Sequence, residues 1–161
     1  MKKYLLMAVL FTGAANTDLV AHWTFDEGNG NVAQDSTANA NNGTISEATW
    51  TAGQIGGALE FDGINDYVGV PDDISLDFSH SFSITAWLKP VTNPIEDMVW
   101  FGYHGASGGL TGKSLHLRMQ TNGQIRFGLY SDDLTTNPDT ISWGYWNHVV
   151  ITYDYATARQ S

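Results

Sequence analysis

Four aspartates, Asp26, Asp35, Asp62 and Asp154, stand at the ends of apolar segments, in turns rich in glycine, asparagine and threonine. Oxygen-rich turns are where a hard cation finds ligands. Calcium takes roughly six to eight oxygens from carboxylates, amides and backbone carbonyls, and Asn41 and Asp66 lie in the same segments. Asp and Asn also hydrogen-bond their own backbone in turns, so a capping role stands beside the metal-binding one. A second set offers different chemistry. If Ile84, Leu115, Leu117, Ile125, Phe127, Val149 and Ile151 point inward, then Trp87, His116, Arg118, Arg126, Tyr130, Trp146 and His148 point outward. Indole and phenol rings stack on the C–H faces of sugars, and Arg and His donate to their hydroxyls, which is the chemistry of a glycan-binding face. Ordinary cross-strand pairing on a solvated sheet would use the same residues.

Signals for catalysis are weak. The chain has four glutamates, Glu27, Glu47, Glu60 and Glu96, and Glu96-Asp97 falls after Pro94 in a loop. Neighbouring residues of a strand face opposite ways, so that pair would not converge. Gly105-Ala106-Ser107-Gly108-Gly109 has the letters of a nucleophile elbow. A glycine loop and a further strand follow it, not the helix such an elbow requires. The five histidines lack metal-ligand spacing, and the absence of cysteine removes disulfides, thiolate metal sites and Cys nucleophiles.

At 161 residues the chain has room for one domain. Seven basic residues face seventeen acidic ones, a formal charge of −10. Nucleic acid and anionic membrane surfaces are poor partners for such a surface, and cations better ones. The first fifteen residues read as an export signal, leaving a domain of 16–161. Lys2 and Lys3 precede an apolar run from Tyr4 to Phe11, too short to span a bilayer, and Thr12-Gly13-Ala14-Ala15 supplies a small-residue cleavage site. The other reading makes Tyr4 to Phe11 a first strand.

The elements that would position the site are strands. Leu19, Ala21, Trp23 and Phe25 alternate with polar residues, which predicts a half-buried strand. Asn29 to Asn42 reads as a polar loop. Ala58–Phe61 and Tyr67–Val70 flank Asp62-Gly63-Ile64-Asn65-Asp66 and predict a hairpin. Ser81–Lys89 is the clearest strand, followed by Met98–Tyr103, a second hairpin about Thr121-Asn122-Gly123, and Trp146–Tyr153. Seven or eight short strands without a long helical period predict an all-β sandwich of two antiparallel sheets.

The motifs W-T-F-D-E-G at 23–28, G-G-A-L-E-F-D-G at 56–63, N-D-Y-V at 65–68, S-F-S-I-T-A-W-L-K-P at 81–90 and W-N-H-V-V-I-T-Y-D at 146–154 resemble the laminin-G-like jelly roll of the concanavalin A-like lectin and glucanase superfamily. The resemblance implies a jelly-roll β-sandwich, often with one calcium at its edge, and further closing strands after Asp154. On this reading the chain is incomplete at its C-terminal end. The glucanases of that superfamily carry closely spaced acids, E-x-D-x-E, and this chain has none. The pentraxin branch puts an Asp-Asn pair where Gly112-Lys113 stand. The expected function is therefore a secreted, non-catalytic module that recognises glycan or a cell-surface protein, with calcium shaping its loops. One alternative is a structural module that assembles by strand complementation through an open sheet edge, as a homo-oligomer or with a partner chain. A glycoside hydrolase of the same superfamily is the other.

Overall fold

The computed structural model describes residues 3–6, 19–70, 80–90, 97–104, 114–129, 132–157 and 159–160. These residues form strands and turns with no helix. In chain order the strands are β1 (Lys3–Leu6), β2 (Val32–Ala33), β3 (Gly43–Ser46), β4 (Thr49–Ala52), β5 (Gly57–Phe61), β6 (Tyr67–Gly69), β7 (Phe82–Lys89), β8 (Met98–His104), β9 (Ser114–Met119), β10 (Ile125–Leu129), β11 (Asp132–Thr135), β12 (Asn147–Asp154) and β13 (Arg159–Gln160). They make a sheet in the order β13-β12-β7-β1-β5-β4, a second in the order β11-β10-β9-β8, and a small third one, β2-β3-β6. The all-β sandwich expected from alternation is present.

Alternation explains how the two larger sheets meet. Phe82, Ile84, Ala86 and Leu88 form the buried phase of β7, and Val149, Ile151 and Tyr153 that of its neighbour β12. Across the core, β9 and β10 bury Leu115, Leu117, Phe127 and Leu129. The ring of Phe82 meets Phe127 edge-on at 6.3 Å and tilts against Tyr153 at 5.4 Å. Each large apolar side chain so buried contributes about 1.5–3 kcal/mol. The β9–β10 hairpin turns where expected, and Gly123 takes the left-handed conformation at φ 76° that a side chain would resist. With the inner phases in the core, the polar phases of the two sheets look out from opposite sides of the sandwich.

Two expectations need correction. Ala21, Trp23 and Phe25 are buried as the alternation requires, yet 19–25 does not form a ladder strand. Its one bridge joins Trp23 to Asp35. Loop side chains take the place of a neighbouring strand: Asn39 and Asn41 donate to the Val20 carbonyl, and the His22 amide donates to Asp35. The hairpin expected over 58–70 is not one either. β5 pairs with β4 and β1, whereas β6 pairs with β3 in the small sheet. The Asp62–Asp66 turn carries the chain from one sheet to another, held by the Asp62 amide on the Asp66 carboxylate and by Asn65 on Glu47. The polar loop contains the short strand β2.

Lys3–Leu6, inside the run that reads as an export signal, lies antiparallel to both β5 and β7, with Leu5 opposite Leu59 and Leu88. Residues 7–18, with the Gly13 and Ala15 cleavage positions, lie outside the described residues.

Candidate functional site

The hairpin β9–β10 and its neighbours β8 and β11 build one outer face. On β9 and β10 the positions between the buried apolar residues form the outer phase: His116 and Arg118 from one strand, Arg126 and Gly128, itself covered, from the other. The register sets Arg118 directly opposite Arg126. Two cations in that relation repel one another. Asp133 of β11 answers only one of them, accepting hydrogen bonds from Arg126 Nε at 2.9 Å and from its terminal nitrogen. Arg118 Nε is buried and finds no acceptor among the described residues.

His116 and Gly128 are also register partners. The imidazole lies across the glycine so closely that a Cβ there would overlap the ring. Burial, then the Arg118 charge, holds His116 below its ordinary pKa, with Asp133 pulling the other way and Arg126 adding to the depression. At neutral pH the face therefore carries two guanidinium charges, one carboxylate and a neutral imidazole. On the far side of Arg118, Val99 of β8 is its register partner and is 58% exposed. A bulge between Val99 and Phe101 allows Trp100 to turn into the core.

The seven outward residues expected from the sequence do not share one surface. His116, Arg118 and Arg126 lie on the face just described. Trp87 and His148 lie on the other outer face, stacked across β7 and β12 with centroids 4.8 Å apart and 30° between planes. Thr85 Oγ1 and His148 Nε2 are 2.7 Å apart and hydrogen-bonded. Trp146 is half-buried and packs against the core, and Tyr130 lies outside the described residues. Val99, Asp133 and Gly128 belong to the first face, although no sequence signal marked them.

The four candidate calcium ligands are spread over separate turns. Asp26 accepts the Gly57 amide at 2.7 Å, and Asp62 the Ile64 amide at 2.7 Å. Asp154 accepts Ala156 N–H, Thr157 O–H and Ser81 O–H, and its pKa is lowered chiefly by the Thr157 bond. Asp35 is buried. Its Oδ1 accepts the amides of His22 and Thr37, and its Oδ2 accepts the Asn41 amide and the Thr37 hydroxyl. Burial pushes this carboxyl up, but the hydrogen bonds outweigh burial and the net shift is downward. Four donors use the lone pairs a cation would need. Among the described residues no three acids or histidines gather as a metal site, and each of these four carboxylates accepts hydrogen bonds from nearby backbone or hydroxyl groups. A separate surface hollow of about 380 Å³ is lined by Glu27, Asn29, Gly30, Asn31, Val32 and Gln34.

A laminin G family model, described as the concanavalin A-like lectin/glucanases superfamily, matches residues 62–160. With the all-β sandwich already described, this places the chain in that superfamily, whose domains are often carbohydrate-binding or adhesion modules. No curated protein and no solved structure gives a match. Among the described residues no helix is long and apolar enough to cross a membrane.

Proposed function

We propose that this domain is a secreted, non-catalytic recognition module that binds glycan, on a cell surface or in solution, through the outer face of the β8–β11 sheet. The observation that carries the reading is Arg118, a cation set against another cation with its Nε hydrogen unused. A folded protein retains such an arrangement at a cost in stability, and ligand sites are where such costs are commonly found. His116 and Arg126 supply further polar groups, and Val99 offers an apolar patch against which a sugar ring can lie. The test is a glycan array with the full chain, followed by titration of the best ligand. Val99→Asp is expected to weaken binding at least tenfold with the melting temperature unchanged; an unaltered affinity removes this face from the site. Release of sugar from a bound glycan would overturn the non-catalytic part of the proposal.

One observation favours a second reading, assembly by strand complementation. Among the described residues β1 holds the slot between β5 and β7 through four residues. Such a short strand can be exchanged for one from another chain.

A further inference from the structure

We infer that the glycan bound at the β8–β11 face is acidic, with a sugar carboxylate seated on Arg118. The inference rests on the glycan-binding reading and narrows its ligand class. The whole chain has three arginines, and two of them stand directly opposite each other on this one face. In a protein with a formal charge of −10, that local concentration of positive charge is exceptional. Asp133 pairs with Arg126, and Arg118 Nε finds no acceptor among the described residues. A planar guanidinium fork matches a carboxylate, and the charge-assisted hydrogen bonds so formed are roughly twice as strong as neutral ones. A bound carboxylate would also relieve the repulsion between the two arginines, so ligand and fold gain from the same contact.

The neighbours define the remainder of the ligand. Val99, exposed beside Arg118, suits the C–H face of a pyranose ring, and His116, pinned on Gly128, borders the same cluster. The overall negative charge repels long polyanions, so the fitting ligand is a sugar acid presented singly or in a short chain.

The experiment titrates the full chain with a short galacturonate oligosaccharide, with its neutral methyl ester, and with an Asp/Glu peptide of equal charge. The acid is expected to bind at least tenfold more tightly than the ester, and the peptide no better than the ester. Arg118→Gln should erase the acid preference, so that acid and ester bind alike. Its melting temperature should hold or rise, because a like-charge pair is removed. Arg118→Lys, which keeps the charge and loses the fork, should recover only part of the preference. Equal binding of acid and ester overturns the inference and leaves the glycan reading standing. An acid preference intact in Arg118→Gln overturns the seat, and peptide binding equal to the sugar acid overturns the ligand class. Binding of no sugar at all overturns both the inference and the reading beneath it.

Discussion

The imidazole of His148 stacks on the indole of Trp87 across β7 and β12, 4.8 Å between centroids. Each ring thus uses one of its faces on the other, and the Thr85 hydroxyl fixes the imidazole edge. This is a cross-strand pair that stabilises the sheet. His148→Ala is expected to cost about 1 kcal/mol, the usual worth of an aromatic pair, read as a lower melting temperature. Because the pair looks out from the opposite side of the sandwich to Arg118, the same variant should bind glycan as the parent does.

Asp35 organises the loop that replaces a strand partner for 19–25. Four donors converge on its carboxylate, and Asp35→Asn would set an amide N–H₂ against some of them. The expected cost is about 2–3 kcal/mol, that of unsatisfied buried donors. The carboxyl titrates below its ordinary value of 3.8 in the folded protein. Its stabilisation is thus complete above the unfolded-state pKa and is lost as pH falls through the folded one. Melting curves of parent and Asp35→Asn from pH 6 to pH 2 should converge at the acid end. A constant gap would show that the charge of Asp35 does not contribute.

Most of the fold was legible in the chain because alternation reports burial directly. Phe82 to Leu88 and Leu115 to Leu129 announce their inner phases, and Asn122-Gly123 announces its turn. Pairing is less legible. The Trp23 segment alternates like a strand, but side chains of Asn39, Asn41 and Asp35 bond its backbone, and no local pattern distinguishes a strand partner from a loop partner. Asp62 to Asp66 has hairpin residues, yet β5 and β6 are claimed by different neighbours. The site was half legible for the same reason. Outward phase identified His116, Arg118 and Arg126, but register was needed to set the two arginines opposite each other and to separate them from Trp87 and His148. Val99 went unmarked because an apolar run with a bulge hides which residue turns outward.

His116 supplies a pH test of the face. The charges around it are Arg118 on its own strand, Arg126 on the adjacent β10 and Asp133 on β11 beyond it. Burial and the arginines depress its pKa below 6.5 in the folded protein, so below that pH the unfolded chain binds the extra proton first. Stability from this residue is full above pH 6.5 and declines as pH falls towards the folded pKa. His116→Gln should flatten that part of the stability–pH curve, measured by urea melts at quarter-unit steps between pH 7.5 and 5. Protonation of His116 also adds a cation near Arg118. A sugar acid should accordingly bind the parent more tightly as pH falls over this range, and the variant with no such gain. A neutral sugar should show no pH dependence in either.

The slot between β5 and β7 gives the last prediction. β1 supplies hydrogen-bonding partners to both strands, and Leu5 sits in register with Leu59 and Leu88, each fully buried. Removing residues 1–15 would strip both edges at once and leave a gap at the centre of the six-stranded sheet. Unpaired edges of this kind recruit strands from other chains. The shortened chain is expected to self-associate in a concentration-dependent way by light scattering, and a synthetic peptide of residues 1–10 should suppress that association by filling the slot. The peptide with Leu5→Pro, which removes a ladder donor and bends the strand, should fail to do so. A shortened chain that stays monomeric and melts at the parent temperature would mean that β5 and β7 close on each other without β1. In that case the strand-complementation reading falls, and the proposed glycan-binding reading stands alone.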